Sequence, residues 1–107
     1  MSMFQQREES FEKGFVHVGE LRFRARARRN KLLGLWAAEK LGASGAAAKA
    51  YVDGLVSAAI AKNADDAVAA RILKDFTAVG VQQSEHQIRS RMAEFLTQAI
   101  GEIRAGK

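Results

Sequence analysis

The sequence predicts an all-α fold: a four-helix bundle-like single domain behind an amphipathic N-terminal arm that is mobile or frayed when free. Three observations predict it. Proline is absent from the 107 residues, so nothing forces a break inside a helix. Beyond the opening stretch the apolar residues are mostly Ala, Leu, Val and Ile, and alanine has the best helix propensity. These residues recur every three or four positions, the period of one helical face. A chain of this length buries one modest core rather than two. The expected division is an arm over residues 1–19 and a bundle over 20–107, with helices at about 20–41, 44–62, 65–79 and 84–105.

The first long helix opens with an unusual run, ELRFRARARRNKLLGLW from Glu20 to Trp36. Its alternating arginines suggest a strand, but Leu32, Leu33, Leu35 and Trp36 follow helical spacing and Gly42 marks a C-terminal end. On a helix, successive residues turn by about 100°. Arg22, Arg26 and Arg29 then fall on one flank, and Arg24, Arg28 and Lys31 fall roughly opposite. Between them a stripe of Leu21, Ala25, Leu32 and Trp36 is expected to face the core. The chain's net charge of +5 is local to this run, because residues outside 20–31 hold 11 basic and 11 acidic side chains. Like charges three and four apart repel, so carboxylates must lie nearby, within the chain or on a partner.

The second helix is expected to begin after Ser44, a candidate N-cap. It places Tyr51, Leu55 and Ala59 four apart, with Val52, Val56 and Ile60 beside them. The third runs from Asp65, where acids suit a helix N-terminus, to Gly80 as a C′ residue. Val68, Ile72, Phe76 and Val79 share its inner face. The fourth starts at Ser84, where the Ser84/Gln87 spacing predicts a capping box. Ile88, Met92, Phe95, Ala99 and Ile103 follow as its core stripe, with Arg89, Arg91, Glu94 and Glu102 outside.

The arm carries a helical stripe of its own, Phe4, Phe11, Phe15 and Val18. Gly14 and Gly19 weaken it, each costing about 1 kcal/mol relative to alanine. An apolar stripe with poor helix stability suits a segment that orders on a partner. Packing of the same stripe against the bundle is the alternative.

Little in the chain supports catalysis. There is no cysteine, hence neither a disulfide nor a thiolate site. His17 and His86 are far apart, and no clustered carboxylates make a metal centre. His17 reads as a contact residue of the arm, and His86 as a solvated or capping residue. GASG lacks the Lys and Ser/Thr of a phosphate loop, and no nucleophilic arrangement is readable. An enzyme is the least supported class; no catalytic residue and no metal ligand is expected. The polar start, MSMFQQREESFEK, is unlike a signal peptide, and no apolar run reaches the length of a membrane span, so a cytoplasmic protein without membrane insertion is expected. A small basic nucleic-acid-binding module is the other functional class, resting on the six basic residues of 20–31. The near-neutral remainder and the single tryptophan argue against it.

ARRNKLLGLWAAEKLG, Ala27 to Gly42, closely resembles the signature of the alphaproteobacterial ATP synthase inhibitor zeta subunit family, once catalogued as a domain of unknown function. The likeness continues upstream through Phe4, Arg7, Glu8, Glu12, Phe15, His17, Glu20, Phe23, Arg24 and Ala25, and downstream in HQIRSRM, His86 to Met92. It implies a four-helix regulatory protein whose arm inserts into a catalytic interface of the ATP synthase head and blocks ATP hydrolysis. Residues Phe4, Arg7, Glu8, Glu12 and Phe15, with Phe11 from the same stripe and His17, would then meet the head. Arg28, Arg29, Asn30 and Trp36 would anchor the arm to the bundle. The resemblance also implies a place at the inner face of the cell membrane through the synthase. It requires no cofactor, although weak adenine nucleotide binding belongs to some members. Gln5, Gln6, Val18 and Arg26 stand where family members carry acids, and Gly14 is an addition; these departures argue against potent inhibition.

Overall fold

The computed structural model describes residues 18–58 and 64–106. Among them the chain forms four helices and no strand: α1 (Val18–Lys40), α2 (Gly45–Ala58), α3 (Ala64–Ala78) and α4 (Glu85–Arg104). α1 packs along both α2 and α4, and α3 closes the ring by packing against the same two helices. Trp36 of α1 packs on the buried Phe76 of α3, ring centroids 5.6 Å apart and edge to face, the arrangement favoured by the aromatic quadrupole.

Short-range chemistry sets the corners. Gly42 (φ 80°) ends α1 in the left-handed region. The Gly42 amide donates to the Glu39 carbonyl and the Ala43 amide to the Ala38 carbonyl, a Schellman closure. Gly80 (φ 79°) does the same after α3, with the Gly80 amide on Thr77 and the Val81 amide on Phe76. At α4 the expected capping box is present: the Gln87 amide donates to Ser84 Oγ at 3.1 Å, and the Ser84 amide to Gln87 Oε1 at 2.8 Å. At α2 the carbonyl of Ser44 accepts from the amides of Ala47 and Ala48.

The core gathers Leu33, Leu55, Val68, Ile72, Phe76 and Ile88, all fully buried, with Trp36 and Phe95 packed on its edge. Each such side chain stabilises the fold by about 1.5–3 kcal/mol. Three details differ from the sequence expectation. The inner face of α1 is turned by about one residue step, toward Ala25, Arg29, Asn30, Leu33 and Ala37, leaving Leu21, Leu32 and Trp36 only half-buried. Val79 is exposed because α3 ends before it, and Val56 is exposed on α2. Ala59 and Ile60, and with them the expected continuation of α2 to residue 62, lie outside the described residues.

Where helices meet, polar groups join them. On the α2/α3 seam the Tyr51 hydroxyl donates to Asp75 at 2.7 Å, and Arg71 lies over the Tyr51 ring at 5.6 Å. On the α3/α4 seam Arg89 bonds Asp66 at 2.8 Å and Glu85 at 3.0 Å. No helix of the described residues is long and apolar enough to cross a membrane.

Candidate functional site

The arm residues Phe4, Arg7, Glu8, Phe11, Glu12, Phe15 and His17 lie outside the described residues. What is visible is the base from which the arm springs, the first half of α1 and its surroundings.

Helical geometry splits the arginines as the spacing requires. Arg22, Arg26 and Arg29 line one cavity of about 470 Å³, together with Phe23, Val56 of α2 and Asp65 of α3. Arg24, Arg28 and Lys31 line a second hollow of about 300 Å³ on the other side, closed by Ile103 of α4. Phe23 borders both and is 74% exposed.

Each of the two flanks holds an internal ion pair. Arg29, expected on an outer flank, is 3% exposed. Its Nη2 donates to Asp65 Oδ1 at 2.7 Å and its Nε to the buried Asn30 Oδ1 at 3.0 Å. A buried guanidinium is tolerable only when so paired. The hydrogen bond from Arg29 holds the Asp65 carboxyl below the usual carboxylate range; the charges of Arg29, Arg26 and Arg89 add to it, against an opposing cost of desolvation. Opposite, Arg28 donates to Glu102 at 3.4 Å, and Gln98 donates to the other oxygen of that carboxylate at 2.9 Å. About two turns beyond these pairs the Trp36 indole packs edge to face on Phe76, with the Arg91 guanidinium 5.8 Å from its centroid.

Arg28, Arg29 and Trp36 thus tie α1 to α3 and α4, while Asn30 steadies the Arg29 guanidinium from within α1. Sequence reasoning missed their partners. Asp65 read as an acid of a helix first turn, and Glu102 as solvated surface; only the clustering of like charge on α1 hinted that carboxylates must come from elsewhere. The exposure of Phe23 was missed as well. Among the described residues no group of His, Cys, Asp or Glu is placed to hold a metal ion, and no buried side-chain polar atom lacks a partner.

In comparison with known families, the chain matches the family described as ATPase inhibitor subunit zeta over residues 1–102. No curated protein matches the chain.

Proposed function

The chain belongs to the ATPase inhibitor subunit zeta family, and from that premise we propose that it is a regulatory subunit that blocks ATP hydrolysis by inserting residues 1–19 into the catalytic head of ATP synthase. The observation that carries this reading is the extent of the match: it starts at residue 1 and so takes in the segment ahead of α1 as well as the bundle. Phe4, Phe11 and Phe15 supply the apolar face that enters the head, with Arg7, Glu8, Glu12 and His17 as its polar contacts. The block is steric and asks for no cofactor and no chemistry of the chain's own.

The bundle supplies a fixed point of departure. Ordering a segment on a partner costs conformational entropy, and a rigid base lowers that cost by limiting the directions in which the arm can leave. Arg29 on Asp65 and Asn30 and Arg28 on Glu102 fix α1 a few turns past the point where the arm ends, and Trp36 on Phe76 holds its far half. The protein works at the inner face of the cell membrane through the synthase, without entering the bilayer itself.

The test is ATP hydrolysis by the cognate catalytic head, titrated with the full chain, with a variant lacking residues 1–19, and with Phe4→Ala/Phe15→Ala. The full chain lowers the rate and both variants lose that effect. Equal rates in every arm of the titration refute inhibition.

A further inference from the structure

The cavity beside the arm's base carries charge and apolar surface that the fold leaves unused. Phe23 is 74% and Val56 46% exposed, yet both line the same concave site at the convergence of α1, α2 and α3. Arg29 on this flank spends its charge on Asp65. Arg22 and Arg26, four residues apart on the rim of the same cavity, make no hydrogen bond or ion pair among the described residues. The Arg29 and Asp65 charges pair directly, and Arg26 faces the same carboxylate only at longer range, so among the described residues the cavity combines apolar surface with two cations that have no ion-pair partner, about one helical turn apart.

The surface that complements it is a helix with an aliphatic or aromatic side chain flanked by carboxylates one turn apart. Helix-in-groove recognition uses this spacing of anchors, and opposite potentials across an interface steer encounter and fix register. We propose that this cavity is a docking groove for an acidic amphipathic helix of the ATP synthase head, a second contact separate from the arm's insertion. The inference rests on the proposed partner. The apolar side chain of that helix lies against Phe23 and Val56, and its two carboxylates meet Arg22 and Arg26. The opposite flank, Arg24 and Lys31, takes no part.

The experiment measures binding of the full chain to the purified catalytic head at low and high salt. Arg22→Glu/Arg26→Glu weakens binding about tenfold at low salt, the size of two exposed pairs turned repulsive, and the difference shrinks at high salt through screening. Phe23→Ala weakens it at both salt concentrations, since apolar burial is not screened in this way. Arg24→Glu/Lys31→Glu leaves the affinity within twofold, and unchanged thermal melting of all three variants excludes unfolding as the cause. In parallel, Phe23→p-benzoylphenylalanine in the full chain is photolysed on the head and the captured peptide sequenced. Capture of a head segment rich in Asp and Glu supports the groove. Unchanged affinity of Arg22→Glu/Arg26→Glu overturns it, as does capture only of residues 1–17 of this chain or of a second copy. Absence of binding by the unsubstituted chain removes the proposed partner, and the groove's occupant with it; binding that is indifferent to these substitutions removes the groove alone.

Discussion

The guanidinium of Arg29, almost wholly excluded from solvent on α1, is held at 2.7 Å by Asp65 at the start of α3. The pair is asymmetric: the cation is buried and the carboxylate is 44% exposed. Removing the anion therefore leaves a buried charge with only Asn30, while removing the cation leaves an anion that water can solvate.

This asymmetry predicts different costs for the two deletions. Asp65→Ala is expected to lower stability by about 1–3 kcal/mol, the range for a buried polar group deprived of its partner. In the Arg29→Met background, which keeps the apolar volume, the same substitution costs much less. Chemical denaturation of the two single variants and the double variant checks this, and additive effects contradict it.

Acid should act through the same carboxylate. Its pKa in the folded state lies below the ordinary 3.8 because Arg29 hydrogen-bonds the ionised form. The stabilisation is therefore complete above the unfolded value and is lost as pH falls through 3.8 toward the folded one. Between about pH 5 and pH 3 the unsubstituted chain loses more melting temperature than Asp65→Ala does. Parallel losses show that other carboxylates carry the acid sensitivity.

Tyr51 titrates alone, being the single tyrosine. Burial, then its hydrogen bond to Asp75, push its hydroxyl above the usual 10.0. The stability associated with the neutral phenol is present below pH 10.0 and is lost as pH rises toward the folded-state value. Phenolate absorbance in the folded chain is expected to rise only above pH 10.0, and Asp75→Asn brings the midpoint down without abolishing the shift, because burial remains. A native midpoint at the ordinary value contradicts the α2/α3 seam.

Gly34 allows the close approach of α1 and α2. A Cβ there would stand 3.0 Å from Val52 Cγ2, 3.2 Å from Leu55 Cδ1 and 3.3 Å from the Val52 Cα. Side chains can turn aside, but the Val52 backbone moves only with its helix. Gly34→Ala gains about 1 kcal/mol of helix propensity and incurs about 1–3 kcal/mol of overpacking, so stability is expected to fall by about 1 kcal/mol in denaturant unfolding. Gly19→Ala, with open space around it, is expected to gain stability instead.

The features legible in the sequence are those whose partners lie within six residues. The Ser84 and Gln87 box, the turn glycines 42 and 80, and the core period of α3 and α4 each follow from local spacing and appear in the structure. Spacing also separates the arginines of α1 into two flanks. It does not say which flank turns inward, because that depends on what α3 and α4 bring to meet it. Arg29 reads as surface by residue type and is buried only because Asp65, 36 residues on, reaches it. The groove beside Phe23 has no local signature at all, since three helices contribute to its walls. The arm residues, where the resemblance is most informative, lie outside the described residues.

The placement of Trp36 has a practical side. As the single indole of the chain, it sits on α1 against a ring from α3 and under a guanidinium from α4. Its emission is a natural gauge of the seam where those three helices join. The same position, more than a full turn beyond Arg29, makes it a poor witness to whatever happens ahead of Val18. A fluorescence trace that stays flat when the catalytic head is added would speak for an intact bundle and say nothing of an idle arm, and watching the arm calls for a dye placed on it.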